Sequence, residues 1–103
     1  MNTIKINGKD YKFKNTLRAM FIFEQITKKP FKIETLLDNY IYLYSILLAN
    51  NEDNLIDWND FINALDDDIS IYNQLMNILN ENREIEDLIN GDKEEESAEQ
   101  KKN

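Results

Sequence analysis

Residues 3–14 alternate apolar and polar side chains around an Asn7-Gly8 pair. Asn-Gly is a strong signal for a two-residue hairpin turn, because both turn positions need a positive φ. That turn sets a register in which Ile4 lies opposite Tyr11, so one face of the predicted hairpin is apolar. The apolar face consists of Ile4, Ile6, Tyr11 and Phe13. An isolated hairpin is marginally stable in water, so we expect helices or a strand of another chain to cover this face.

A first helix is predicted from Leu17 to about Thr27, with Asn15 or Thr16 as its N-cap. With about 3.6 residues per turn, its apolar side chains form two stripes on opposite sides. One stripe consists of Ala19, Ile22, Phe23 and Ile26, and the other of Leu17, Met20 and Phe21. A helix that is apolar on two sides is expected to lie at the centre of the fold, contacted from both flanks.

A single carboxylate, Glu24, falls within the second stripe of this helix. A carboxylate among apolar side chains needs a cationic or hydrogen-bonding partner, because an unpaired buried charge is costly. Arg18 or a lysine of the hairpin could supply that partner. The sequence therefore predicts a structural ion pair, with Arg18 and Glu24 as its candidates, and a functional contact of Glu24 is the alternative.

Pro30 separates the first helix from a second helix, predicted from about Ile33 to Asn50. Its predicted core face consists of Ile33, Leu36, Leu37, Tyr40, Tyr44, Leu47 and Leu48. Tyr42 and Ile46 lie off this face, among polar residues. Either another helix covers them, as is usual for large apolar residues, or they form an exposed binding patch.

Two more helices are predicted after a polar loop at residues 51–56. Asp57 is the predicted N-cap of a short helix, and Asp68 or Ser70 caps a last helix that runs to Asn90 and stops at Gly91. The apolar face of the short helix consists of Trp58, Phe61, Ile62 and Leu65. That of the last helix consists of Ile71, Tyr72, Leu75, Ile78, Leu79, Ile85 and Ile89.

These elements predict a mainly α fold, in which an N-terminal β-hairpin at about residues 3–14 precedes a bundle of about four helices. One domain is expected over residues 1–90, since a chain of 103 residues can form a single core. Residues 91–103 are acidic with almost nothing to bury, so we predict a disordered tail.

Composition excludes several kinds of chemistry. The chain has no cysteine and no histidine, so it lacks thiolates, zinc-thiolate sites and the commonest general base. The run from Glu52 to Asp68 holds seven carboxylates but lacks the first-position ligand, the central glycine and the bidentate glutamate of an EF-hand. We therefore expect no metal, no cofactor and no enzymatic activity.

The charge is unevenly distributed along the chain. Residues 1–32 carry eight basic and two acidic side chains, a net +6, whereas residues 33–103 carry four basic and eighteen acidic ones, a net −14. Blocks of opposite charge favour self-association, for example into a ring or filament, or docking to a polar partner. The alternative is a solvated surface whose charges are merely uneven.

Nucleic acids and membranes are not expected as partners. No basic helix is available to face a nucleic-acid groove. The longest apolar stretch, Leu36 to Ala49, is too short for a membrane span, and the first residues lack the apolar core of a signal peptide. We expect a soluble protein of the cytoplasm that acts by binding other proteins.

Two segments carry a family resemblance. The segment INGKDYKFKNTLRAMFIFEQITKKPF, residues 6–31, resembles the start of the tail assembly chaperones of long-tailed bacteriophages and prophages. Its matching residues are Leu17, Arg18, Ala19, Phe23, Glu24, Thr27, Lys29 and Phe31. The segment LIDWNDFINALDDD, residues 55–68, is similar to one that precedes their last helix, so the likeness covers about residues 4–80. The chain departs at Lys28, where the pattern favours glycine and a left-handed helix end costs about 1 kcal/mol.

The resemblance implies a role in virion assembly in the cytoplasm of a bacterial host. Such chaperones coat the long, helical, hydrophobic tape measure protein, keep it soluble and help to recruit tail tube subunits around it. The predicted contact residues are Tyr42 and Ile46, as exposed anchors on the polar side of the second helix. Trp58 and Phe61 are second candidates, because aromatic residues dominate binding hot spots.

Two other functions remain open from the residues alone. One is an acidic inhibitor that mimics nucleic acid and binds a basic protein through Asp57, Asp60 and residues 66–68. The other is a small structural tail completion protein, which would remain in the finished particle.

Overall fold

The computed structural model describes residues 2–81, which form a β-hairpin followed by helices. The two strands are β1 (Thr3–Ile6) and β2 (Lys9–Lys12). The helices are α1 (Leu17–Thr27), α2 (Leu36–Asn50) and α3 (Trp58–Asp67). A further helix, α4, runs from residue 69 to residue 81, which is the last residue described. The predicted mainly α fold with an N-terminal hairpin is confirmed. The predicted tail at residues 91–103, and Ile85 and Ile89, lie outside the described residues.

The hairpin has the predicted register. Ile4 pairs with Tyr11, and the turn residues Asn7 and Gly8 have φ values of 54° and 81°. The apolar face formed by Ile4, Ile6, Tyr11 and Phe13 is buried in the core shared with the helices. A local turn signal has therefore oriented the whole hairpin, because a shift of one residue would have turned these side chains to solvent.

The end of α2 covers the outer edge of β2 at Lys12. The side chain of Asn51 accepts a hydrogen bond from the Lys12 N–H at 2.8 Å and donates one to the Lys12 carbonyl at 2.9 Å. Asn50 donates to the Lys14 carbonyl at 2.8 Å. These amides take the place of a neighbouring strand, and they fix the hairpin to α2.

Each helix start follows from a local cap. The Thr16 hydroxyl accepts from the Ala19 N–H at 3.2 Å, and the Asp57 carboxylate accepts from the Asn59 N–H at 3.0 Å. The Asp68 carboxylate accepts from the Ser70 N–H at 3.1 Å at the start of α4. All three caps are among those predicted from the sequence.

The connection between α1 and α2 is held by a buried carboxylate. Asp38 Oδ2 accepts hydrogen bonds from Lys29 Nζ at 2.8 Å, from the Glu34 N–H at 3.0 Å and from the Thr35 N–H at 3.2 Å. The Thr35 side chain caps α2 in return, accepting from the Asp38 N–H at 3.0 Å. This capping box starts α2 at Leu36, three residues later than the sequence predicted.

The central helix is α2, and the prediction that α1 is central is wrong. α2 buries residues on several sides, namely Asp38, Tyr42, Leu43, Ser45, Ile46 and Leu47, whereas α1 buries only Ala19 and Phe23. The predicted core face of α2 is also wrong in part, since Leu36 and Leu37 are exposed. α2 is apolar almost all the way round, so its periodicity alone cannot select the buried side.

Candidate functional site

Three of the four predicted contact residues lie in the core, and the prediction that Tyr42 and Ile46 are exposed anchors is wrong. Tyr42, Ile46 and Phe61 are buried, and Trp58 is half-buried. The Tyr42 hydroxyl donates to Asn15 Oδ1, and its ring stands edge-on to Phe23 with centroids 6.2 Å apart. The alternative interpretation, in which other elements cover Tyr42 and Ile46, is the one that the structure bears out.

The half-buried side chain of Trp58 packs against two other aromatic residues. Its ring lies edge-on to Tyr44, with centroids 5.2 Å apart, and tilted against Phe61 at 6.0 Å. Tyr44 in turn donates from its hydroxyl to the Ile56 carbonyl at 2.7 Å. This aromatic cluster fastens α3 to α2.

Arg18 and Glu24 do not pair with each other as the sequence predicted. Glu24 is exposed, and its Oε2 accepts a hydrogen bond from the Phe31 N–H at 2.7 Å, which ties the end of α1 to the following turn. Arg18 Nη1 instead lies 3.3 Å from Glu52 Oε2, just beyond α2. The pairing was wrong because it assumed a buried stripe on the side of α1 that faces solvent.

The apolar area that remains exposed lies elsewhere. Eight large apolar side chains are exposed within residues 2–81: Leu17, Phe21, Ile26, Ile33, Leu36, Leu37, Leu55 and Ile69. Two of them, Leu17 at 64% and Phe21 at 55% exposure, are one turn apart on α1. They share one face of the helix and point away from the buried side.

Leu17 and Phe21 form one wall of a groove between α1 and α2. The groove has a volume of about 510 Å³ and is lined by Leu17, Arg18, Phe21, Ile22 and Gln25 from α1 and by Leu48 and Glu52 from the other side. We call it the α1–α2 groove. Arg18 and Glu52 meet across it at one end of the helix pair, and Lys29 and Asp38 meet at the other end, so α1 and α2 run antiparallel.

An extended partner fits this groove better than a small molecule does. A small-molecule site typically buries most of its ligand between enclosing walls. Here the two principal wall residues, Leu17 and Phe21, are themselves more than half exposed. A partner that brings its own apolar surface, such as an amphipathic helix, would supply the missing wall.

Three acidic residues in the loops that follow α2 and α3 make structural contacts. Glu52 pairs with Arg18, and Asp57 and Asp68 cap helices. Within residues 2–81, no three carboxylates come close enough together to hold a metal ion. None of the helices in this part of the chain is long and apolar enough to cross a membrane.

The sequence did contain a signal for the groove. Leu17 and Phe21 lie on an arc of α1 that also carries Arg18, Glu24 and Gln25, and polar residues on one arc indicate a solvent-facing side. The apolar residues of this arc thus belong to the solvent-facing side of α1, and not to a buried stripe. Comparison of the chain with known proteins gave no matching family model, curated protein or solved structure.

Proposed function

We propose that this chain is a tail assembly chaperone of a long-tailed bacteriophage or prophage. In the cytoplasm of the bacterial host it binds the tape measure protein, keeps it soluble and helps to recruit tail tube subunits. The observation that carries the proposal is the α1–α2 groove, an apolar surface that the domain leaves open beside its buried core. The resemblance of residues 6–31 and 55–68 to that family supplies the identity of the client.

The groove suggests how a helical client binds. An amphipathic helix can place its apolar stripe between Leu17 and Phe21 on one wall and Leu48 on the other. Each such contact is small, so one chaperone holds its segment weakly, and many copies along a long client bind through their summed contacts. Weak individual contacts also let tube subunits replace the chaperone.

The remaining surface suits a protein that keeps an apolar client in solution. The chain has a net charge of −8, and net charge of this size opposes aggregation of the complex. The function needs no reacting group, so we propose a binding protein without enzymatic activity or cofactor.

Co-expression with a tape measure fragment tests the proposal. The double variant Leu17→Ser with Phe21→Ser should keep the fold, because both side chains are more than half exposed, and should leave the client in the insoluble fraction. The matched control is Leu36→Ser with Leu37→Ser, which removes two side chains of comparable exposure, 71% and 58%, outside the groove lining. The control should solubilise the client as the unmodified chain does.

Three results of this experiment would count against the proposal. Normal client solubility with the groove variant would refute the groove as the binding surface. Equal loss with both double variants would show a general effect of surface apolarity. Binding that weakens steeply with salt, rather than strengthening in sulfate, would favour the acidic inhibitor instead.

A further inference from the structure

The rim of the α1–α2 groove carries one charge of each sign. Arg18 and Glu52 lie 3.3 Å apart, and each side chain is 67% exposed. Both also line the groove beside Leu17 and Phe21. The surface therefore combines an exposed apolar centre with a positive and a negative group side by side.

We propose that two copies of this chain pair through the α1–α2 groove about a two-fold axis when no client is bound. In such an isologous interface both copies use the same surface. If residue i of the first copy contacts residue j of the second, then residue j of the first copy contacts residue i of the second. A surface is suited to this arrangement only if it is self-complementary. Arg18 and Glu52 meet that condition, since Arg18 of each copy can face Glu52 of the other, and the four charges alternate around the axis.

The apolar residues supply the reason for pairing. Leu17 and Phe21 of the two copies cover each other, which removes from water a patch that would otherwise remain exposed. The pairing closes at two copies, because both use the same surface, and so it differs from a ring or filament. Seven residues of each copy line this surface, fewer than the roughly 20–30 residues a side of a standard interface, so we expect a dissociation constant on the order of 10–100 µM.

In the dimer, each copy covers the groove of the other as long as no client is bound. A client helix that occupies the groove would displace the second copy, a step that rests on the proposed function. The dimer itself does not, because its evidence lies entirely in the residues of the groove.

Sedimentation equilibrium over a range of concentrations tests the dimer. The unmodified chain should show reversible monomer–dimer association. Arg18→Glu alone, or Glu52→Arg alone, places like charges opposite each other twice across the axis and should weaken association at least about tenfold. Mixing these two variants should restore dimers, because every contact across the axis then joins opposite charges.

The double variant Arg18→Glu with Glu52→Arg sharpens the test. It keeps an ion pair within each copy, so its thermal stability should be unchanged, and it should pair with itself but not with the unmodified chain. The matched control is Lys5→Glu with Asp10→Lys on the hairpin, whose exposed pair spans 3.2 Å with side chains 66% and 71% exposed. Reversing that pair should leave association unchanged.

Several outcomes would overturn the dimer. These are a chain that stays monomeric up to millimolar concentration, association that Arg18→Glu does not weaken, and a mixture of the two single variants that shows no recovery. Phe21→Ser provides an independent check, since it should also give monomers without any change of charge. A monomeric chain that still solubilises the tape measure fragment would refute the dimer and leave the proposed function standing.

Discussion

The two sides of α1 carry similar side chains and meet opposite surroundings. On the inner side, Phe23 is fully buried, edge-on to Phe31 with ring centroids 5.1 Å apart. On the outer side, Phe21 is two residues earlier in the chain and 55% exposed. The same residue type in the same helix thus contributes to the core in one case and to a surface groove in the other.

The inner side of α1 is closed because aromatic neighbours cover Phe23. The rings of Phe31 and Tyr42 both lie edge-on to Phe23, and Ser45 on α2 donates to the Ile41 carbonyl at 2.7 Å. Within residues 2–81, no buried side-chain nitrogen or oxygen lacks a hydrogen-bond partner. On the outer side of α1, no neighbouring element in the described part of the chain covers Phe21 in this way. Whether an apolar side chain belongs to the core or to an exposed surface therefore depends on the elements that pack around it.

Truncating the two phenylalanines gives the largest contrast. Phe23→Ala should lower the free energy of unfolding by about 3–5 kcal/mol, because it removes a buried ring and leaves a cavity. Phe21→Ala should change it by no more than about 0.5 kcal/mol, as is usual for exposed positions. Denaturant unfolding followed by circular dichroism measures both, and comparable losses would show that both sides of α1 are packed.

The Asp38 network gives a second, smaller contrast that depends on pH. The hydrogen bond from Lys29, with those from the Glu34 and Thr35 N–H groups, lowers the pKa of Asp38 below its ordinary value of 3.8. The same hydrogen bond to Asp38 raises the pKa of Lys29 above its ordinary value of 10.5. Both shifts have the same origin, the ion pair that joins the start of α2 to the turn after α1.

The signs of these shifts set the pH range of the effect. A carboxyl whose pKa is lowered by folding contributes stability that is present above its unfolded pKa and is lost as the pH falls through its folded pKa. A lysine whose pKa is raised contributes stability below its unfolded pKa, which is lost as the pH rises through the folded value. The ion pair between Asp38 and Lys29 should therefore contribute its full stability at neutral pH. That contribution should be lost in strong acid, where Asp38 is protonated, and in strong base, where Lys29 is neutral.

Asp38→Asn should destabilise the protein at neutral pH, and its difference from the unmodified chain should shrink as the pH falls below 3.8. The control is Asp10→Asn, which removes a carboxylate from an exposed pair that contributes little. Thermal unfolding at a series of pH values measures both. A difference that stays constant from neutral to acidic pH would show that the charge of Asp38 contributes nothing to the network.

Features set by a few neighbouring residues were predictable from the sequence. The Asn7-Gly8 turn determined the hairpin register, and Thr16, Asp57 and Asp68 marked helix starts through bonds that span two or three residues. These succeed because turn and cap preferences depend on local backbone geometry. The Thr35 and Asp38 spacing was a further local signal, and missing it placed the start of α2 too early.

The buried faces of α1 and α2 were not predictable by the same means. The packing of Tyr42 against Phe31, with ring centroids 4.9 Å apart, depends on how the turn after α1 folds back. Which apolar stripe meets another element is a property of tertiary packing, since several stripes of α2 are equally apolar. The groove was missed for the same reason, because Leu17 and Phe21 look like core residues until their neighbours are known.

Lys28→Gly should have the smallest effect, and it should change stability without changing the groove. Lys28 ends α1 in the left-handed conformation with φ at 62°, and its N–H donates to the Glu24 carbonyl at 2.8 Å. Glycine adopts this conformation without the steric cost that a side chain incurs, so the substitution should raise the free energy of unfolding by about 0.5–1 kcal/mol.

Lys28→Ala is the matched control, since it removes the long side chain but keeps the Cβ, and it should give no such gain. Neither substitution touches Leu17 or Phe21, so client solubility and self-association should be unaltered in both. A loss of stability with both substitutions would mean that the Lys28 side chain itself holds the turn that brings Phe31 back onto Phe23. The closed inner side of α1 would then depend on that side chain, and not on the backbone conformation that ends the helix.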